Sequence, residues 1–384
     1  MRFSPTITDL MTSPISAAHA LVHHRVNTRP LLDVSQAAPS YPPPQVVIDA
    51  IAAAASDPSV ATYAPQPGLP ALRSVFAADL SSAYGGEVVA DDVLITAGCN
   101  QAFCIVASAL ARPGDNMLVQ DPFYFNHGMW LDVEEIEGRR IPNDDGLIPN
   151  AEASAALIDE RTTAIVLVSP GNPTGITIPP ERIVEFAELA KAHDLALIID
   201  ETYRSFRPTE TAAHPLFGDP TWRDTVISLH SFSKDLAIPG YRVGAVVAGE
   251  PARLEALKIL DCVAICAPPI GQIACIAGLE HATEWRREQA ERIANRQQRF
   301  ESVMADRPGD FELVAVGAYF GWVRYPGELG TDDALRKLVV DHDVLAIPGT
   351  AFTEGDEHML RISFANLDPE QIDRLGERLA EWSP

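Results

Sequence analysis

The sequence predicts an α/β protein, with a mostly parallel sheet covered by helices on both faces and joined to a smaller α+β domain. Three observations carry this. Between residues 92 and 248, short and continuously apolar runs alternate with segments of helical spacing, the pattern of strands buried on both faces. Turn residues punctuate the ends of those runs. From about Glu280 the texture changes to a long charged helix followed by shorter alternating strands.

In chain order, Pro42-Pro43-Pro44 closes an N-terminal segment and precedes a helix over Gln45 to Ala55. Asp92 to Thr96 reads as the first strand. It runs into Ala97-Gly98-Cys99-Asn100-Gln101 and a helix reaching about Ala111. Asn116 to Gln120 is the next strand, followed by Asp121-Pro122-Phe123-Tyr124. Thr163 to Val168 leads into the Pro- and Gly-rich turn Ser169-Pro170-Gly171-Asn172-Pro173-Thr174-Gly175. Pro179 and Pro180 sit at a helix start, and apolar residues recur at helical spacing from Glu181 to His193. Leu195 to Ile199 is apolar throughout and ends at Asp200. Val226 to Leu229 leads to Ser231-Phe232-Ser233-Lys234, and Tyr241 to Ala248 reads as a further strand. Beyond it come a helix over Glu284 to Met304 and strands around Ala318–Tyr325 and Met359–Phe364. The expected division is an N-terminal arm with part of the small domain (1–45), a large domain (46–283) and a small C-terminal domain (284–384). The arm is expected to pack on the small domain.

Composition excludes several classes. The 384 residues hold 29 Lys+Arg against 53 Asp+Glu, a net charge of −24. An acidic chain without a basic run is poorly suited to a phosphate backbone, so no nucleic-acid partner is expected. No apolar run approaches the ~18 residues of a membrane helix, so no membrane partner is expected either. The first twenty residues lack a secretory pattern. Five scattered cysteines do not form a disulfide framework, which fits a reducing, cytoplasmic setting. Only four basic residues are lysines: Lys191, Lys234, Lys258 and Lys337.

In open parallel sheets, ligands bind beyond the carboxyl ends of the strands. Gly98-Cys99-Asn100 follow one strand, Tyr124 another, Asn172 a third, Asp200 a fourth and Lys234 a fifth. Parallel strands would bring these ends into one site. A lysine at a buried strand end is desolvated, which lowers its pKa and makes it a nucleophilic amine able to form Schiff bases. A surface loop lysine is the ordinary alternative. Asp200 needs a positive partner at the end of its apolar run; a core ion pair and a protonated pyridine nitrogen would both serve. Gly98, between strand and helix, permits close approach of a phosphate to helix N–H groups.

Taken together, these residues resemble the class I/II aminotransferases, fold-type I enzymes dependent on pyridoxal 5′-phosphate (PLP). The resemblance spans about Asp33 to Phe364. It is carried by Asn172-Pro173-Thr174-Gly175, Asp200-Glu201-Thr202-Tyr203, Ser231-Phe232-Ser233-Lys234 and Gly240-Tyr241-Arg242-Val243-Gly244, in that order and spacing. It implies a mostly parallel seven-stranded sheet between helices. It implies Lys234 as Schiff-base lysine and proton shuttle, and Asp200 paired with the pyridine nitrogen, so that the ring acts as an electron sink. Asn172 and Tyr203 would bond the cofactor's phenolic oxygen, and Tyr124 would stack on its ring. Ser231, Arg242 and the backbone around Gly98, Cys99 and Asn100 would hold the phosphate. Tyr63, in Tyr63-Ala64-Pro65-Gln66-Pro67-Gly68, looks like the tyrosine that reaches the phosphate of the neighbouring subunit, which implies a homodimer with shared sites. Arg361, in Leu360-Arg361-Ile362-Ser363-Phe364, looks like the arginine that grips the substrate α-carboxylate, with Asn172 and Ala37 beside it; a planar guanidinium takes a carboxylate bidentately. Ala37 replaces a glycine found in many relatives, and Asn100 stands where Ser, Thr or Lys is more usual.

Rival readings are weaker. Ser231-x-x-Lys234 also spells the S-x-x-K of serine acyl-enzymes, but no lysine here begins the Lys-Thr-Gly partner. Cys262 and Cys266 lack a completing pair for a metal site, so no metal is expected. A PLP-binding regulator would need an added DNA-binding domain. Other PLP chemistries, such as C–S β-lyase, decarboxylase or cyclopropane-forming synthase, remain open, because the cofactor serves them all. The expectation is a cytosolic homodimeric aminotransferase working on an amino acid and a 2-oxo acid in ping-pong order. No arginine lies in Asp261–Cys266, just before the loop Ala267-Pro268-Pro269, which leans toward a neutral side chain, with Arg25 or Arg29 as possible dicarboxylate partners.

Overall fold

The computed structural model describes residues 1–27, 29–208, 213–355 and 358–383. Its centre is a seven-stranded sheet. The strands are β1 (Val93–Thr96), β2 (Asn116–Gln120), β3 (Glu137–Ile141), β4 (Thr162–Val168), β5 (Ala196–Asp200), β6 (Val226–Ser231) and β7 (Gly244–Ala248). Their spatial order is β1-β7-β6-β5-β4-β2-β3. All run parallel except β7, which is antiparallel to both neighbours.

Alternation sorts the strand side chains onto two faces. Val93, Ile95, Ile165, Leu167, Leu197 and Ile199 join one apolar cluster. Leu94, Ala164, Val166, Ile198, Ile227 and Leu229 join another. On the first face lie α2 (Gln45–Ala55), α3 (Pro70–Tyr84), α6 (Pro180–Ala192) and α8 (Pro269–His281); on the second lie α4 (Cys99–Leu110), α5 (Phe125–Val133) and α7 (Glu250–Ala264). Burial on both faces explains why these strands read as unbroken apolar runs.

A third cluster gathers the C-terminal elements. The long helix α9 (Thr283–Ala305) leads into the hairpin β8 (Glu312–Gly317) and β9 (Phe320–Arg324), then α10 (Thr331–His342), β10 (Ile347–Pro348), β11 (Met359–Ile362) and α11 (Pro369–Ala380). The four strands form an antiparallel sheet ordered β8-β9-β11-β10. The arm joins this part: Leu32–Asp33 pairs in parallel with Val344–Leu345, and Ser363 N donates to Val34 O at 2.9 Å. Ile15, on the short helix α1 (Pro14–Ala20), packs on the same cluster.

Two expectations need correction. The strand read from Tyr241 begins only at Gly244, because Pro239–Tyr241 form a single 3-10 turn and Arg242 takes a left-handed φ of 50°. Ala318 is the turn of the β8–β9 hairpin, with φ 45°, rather than a strand residue. Among the described residues, no helix is long and apolar enough to cross a membrane.

Candidate active site

At the carboxyl rim of the large sheet lies a cavity of about 410 Å³. It is lined by Ala37, Cys99, Asn100, Tyr124, Asn172, Asp200, Tyr203, Ser231, Lys234, Arg242 and Arg361, and also by Ile15, Gln36, Phe125, Asn126, Val168, Thr202, Ser233 and Pro239. The residues that the resemblance assigns to cofactor and α-carboxylate therefore meet here except Gly98, which adjoins the lining residues Cys99 and Arg242, and Tyr63, which is exposed elsewhere.

Lys234 sits in the single helical turn Phe232–Asp235 that follows β6, where Ser231 caps the turn by accepting from Ser233 N at 3.2 Å. Burial, with Arg242 and Arg361 as like charges, lowers the amine to about 8. Its Nζ donates to Ala37 O from the arm. Residue 37 thus places a backbone acceptor beside the amine, whichever side chain it carries.

Asp200 closes β5, its backbone held between Val168 and Leu229. Burial alone would raise its carboxyl. His127, whose Nε2 lies 3.3 Å from Oδ2, and Thr202, whose N donates to Oδ1 at 2.9 Å, outweigh burial and hold the carboxyl below its ordinary value. His127 stacks on Phe103, ring centroids 3.9 Å apart. Glu201 points to the other face, where the hydroxyls of Tyr84 and Ser228 donate to it at 2.5 Å. Alternation along the chain thus gives the cavity a single carboxylate from this adjacent pair.

The opposite wall is an anion cradle. Gly98, φ +90°, precedes α4, and Ala102 N is the first to close back onto Gly98 O, at 3.2 Å. The first-turn N–H groups before it lie at the positive end of the helix. A Cβ on Gly98 would sit 2.3 Å from Arg242 Nη2 and would push the guanidinium aside, and the φ of +90° itself favours glycine. Arg242 is braced by Pro239 O at 3.1 Å and Ala97 O at 3.4 Å.

Arg361, on β11, is 2 % exposed. Its Nη1 donates to Asn172 Oδ1 at 2.9 Å, its Nη2 donates to Ser35 O, and the rings of Phe320 and Phe352 lie 5.0 Å from it. Burial lowers its pKa to about 10, against the pull of Tyr203 and Tyr124. Tyr203 is buried against Phe320, with centroids 5.1 Å apart. The Tyr124 hydroxyl, pushed up to about 12 by burial first and Asp200 second, donates to Asn126 Oδ1 at 2.8 Å and to Asn100 Oδ1 at 3.4 Å. Burial raises the Cys99 thiol well above its ordinary value, which fits a packed turn residue rather than a reactive one.

Sequence reading passed over His127, Thr202 and Ile15. A lone histidine on a helix gives no spacing signal, and Ile15 comes from a distant segment. It also offered Arg25 and Arg29 as substrate partners, and the structure overturns this. Both are committed to buried Asp343, with Arg25 Nε donating to Oδ1 at 2.7 Å and Arg29 Nε to Oδ2 at 3.0 Å; Arg29 also bonds Glu381. A fully buried carboxylate requires such counter-charges, so neither arginine lines the cavity.

An amine, an anionic carboxylate and an anion cradle on one sheet rim, faced by a buried arginine from the C-terminal sheet, make a site suited to small charged molecules. The profile of the aminotransferase class I and II family matches residues 29–379. The chain is 26% identical over 378 residues to Aromatic aminotransferase ISS1 of Arabidopsis thaliana, covering 96% of this chain and 89% of that protein. It is 27% identical over 345 residues to an aspartate aminotransferase of Pyrococcus horikoshii, covering 88% and 87%. Aspartate aminotransferase from Thermus thermophilus, solved with maleate, superposes with a TM-score of 0.90 at 23% identity, covering 99% of each chain. The chain belongs to the aminotransferase class I and II family, and it is an aminotransferase with the fold-type I architecture. The S-x-x-K acyl-enzyme reading falls with that assignment.

Proposed function

We propose that the protein moves an amino group from an amino acid to a 2-oxo acid with PLP as cofactor, in ping-pong order, as a cytoplasmic homodimer. The observation that carries the reading is a desolvated amine, Lys234, sharing one cavity with a carboxylate, Asp200, that is held anionic. The residues present fit PLP. The Gly98 cradle with Arg242 and Ser231 suits a phosphate, and Asp200 suits a protonated pyridine nitrogen. Asn172 and Tyr203 suit a phenolic oxygen, and Tyr124 suits a ring face. When bound, the cofactor supplies a carbonyl carbon for the amine and a ring that withdraws electrons from the substrate Cα.

The protein's own residues do the rest. Arg361, oriented by Asn172 and Ser35, fixes the α-carboxylate and so presents Cα to Lys234. Lys234 Nζ, in its neutral form, would serve as the base that takes a proton from the substrate Cα and as the acid that later gives it up. Asp200, steadied by His127, keeps the pyridine nitrogen protonated. Exposed Tyr63 would complete the phosphate site of a second subunit. Five free cysteines suit a reducing compartment.

Purified protein with PLP is expected to absorb in the visible, and borohydride should fix the cofactor to the chain. In Lys234→Ala that covalent fixation should vanish; its persistence would remove Lys234 from the role. Release of pyruvate and ammonia from a cysteine conjugate, with no oxo-acid acceptor present, would replace transfer by β-elimination.

A further inference from the structure

We propose that Gly175 and Gly317 are positioning residues: their backbone-to-backbone contact sets how closely the C-terminal sheet approaches the rim of the large sheet, and so where Arg361 stands. The inference rests on the reading above, in which Arg361 holds the α-carboxylate, and adds the part of the chain that keeps it in place.

Gly175 lies in the turn after β4 and Gly317 ends β8. Both are buried. A Cβ on Gly317 would sit 2.2 Å from Gly175 O, and a Cβ on Gly175 would sit 2.2 Å from Gly317 O. The obstructing atoms are backbone on both sides, so no change of rotamer relieves the clash. Ordinary contact needs roughly 3.5 Å, so a side chain at either position would force the two segments apart by about 1 Å.

The turn is closed against such a shift. Gly171 N donates to Ile176 O and Gly175 N donates to Gly171 O, each at 2.8 Å. Ser169 N donates to Asp200 O at 3.0 Å, which fastens the turn to β5. On the other side, Gly317 pairs with Phe320 across the hairpin, and Trp322 of β9 pairs with Arg361 of β11. The contact therefore joins the turn that carries Asn172 to the sheet that carries Arg361, where Arg361 Nη1 donates to Asn172 Oδ1 at 2.9 Å. Phe320, opposite Gly317, lies 5.0 Å from the guanidinium and 5.1 Å from the Tyr203 ring. Widening the contact would draw the guanidinium away from Asn172 and from a carboxylate held beside it. Lys234, Asp200, Gly98 and Arg242 hang on the large sheet and would keep their places.

The test uses the full chain reconstituted with PLP, mixed with one amine at a time and no acceptor, while the cofactor spectrum is followed. Leucine, phenylalanine, aspartate and glutamate are each compared with the amine that lacks the α-carboxylate. In Gly317→Ala the second-order rate constant for the best amino acid should fall about 100-fold, the effect of a misplacement of about 1 Å. The rate for the matching amine, and the capture of PLP, should be unchanged. An equal fall for both compounds, or an undiminished amino-acid rate, overturns the inference. Gly175→Asn adds a Cβ from the other side, at a φ of +75° that asparagine tolerates. It should repeat the selective loss, and it decides the matter where Gly317→Ala does not fold. Loss of PLP binding in both variants overturns the inference, because the contact would then be a condition of folding. Failure of the underlying reading shows in the unaltered protein. Equal rates for amino acid and amine would remove the α-carboxylate from Arg361, and silence toward every amino acid would overturn the aminotransferase reading itself.

Discussion

Lys234 owes its lowered pKa to where it is buried. Loss of solvent, and then the like charges of Arg242 and Arg361, favour the neutral amine and bring its pKa from 10.5 to about 8. The sign follows directly. The nucleophilic fraction rises as pH passes through about 8, so the rate at which cofactor-free protein captures PLP should climb with a midpoint near pH 8 in stopped-flow absorbance. A midpoint near 10.5, the ordinary lysine value, would mean the amine is solvated. Linkage gives the companion statement. The unfolded chain binds more protons than the folded one between about 8 and 10.5, so this group's cost to folding is full below about 8, falls across that window and is gone above 10.5. Arg361 is lowered by the same burial, yet at about 10 it remains a cation at neutral pH and able to grip a carboxylate.

Among the elements, a chain of ion pairs ties the loops after β5 and β6 to the helices behind them. Asp235, next to Lys234, pairs with Arg286 of α9 at 2.9 Å. Arg286 pairs with Asp79 of α3 at 2.9 Å, and Asp79 also takes Arg204, the residue after Tyr203. Burial would raise the Asp79 carboxyl, but Arg204 and Arg286 outweigh it and lower it far below its ordinary value. Asp79→Asn should cost about 3 kcal/mol, because it leaves two largely buried guanidinium groups without their shared anion; urea unfolding would show this as a lower midpoint, and an unchanged midpoint would make the chain of pairs incidental. None of these pairings was legible in the sequence, since they join segments far apart. What was legible had a local cause. Gln45–Ala55 follows Pro44, and Asn116–Gln120 is followed by the turn residues Asp121-Pro122. Strand β3, Glu-Gly-Arg-Arg-Ile, went unread because it lies at the sheet edge, pairs with β2 alone and carries only one apolar end. Among the site residues, Lys234, Asp200 and Asn172 stood out because polar groups directly after apolar runs are conspicuous. Ile15 reaches the cavity, and His127 reaches Asp200 behind it, through tertiary packing alone.

For the whole molecule, Tyr63 carries the proposal of a shared site. It is 77% exposed and outside its own cavity. If its hydroxyl completes a neighbour's phosphate site, Tyr63→Phe should weaken PLP binding by about tenfold, the worth of one hydrogen bond to a charged group. Mixed dimers with Lys234→Ala should regain tight binding at the site holding a native Tyr63 and a native Lys234. Fluorescence titration reads both, and undiminished affinity in Tyr63→Phe would confine each site to one chain. The reversed strand β7 has its own consequence. Because it runs against its neighbours, its beginning lies on the rim where β1 and β6 end. Were it parallel, Arg242 would emerge at the far rim, roughly 16 Å away. Reversal lets the chain turn back at once, so the amine at 234 and the guanidinium at 242 are eight residues apart on one short tether. Under the proposed function that tether would work as a ruler, with the span between a ligand's reacting end and its anchored end written in a count of residues.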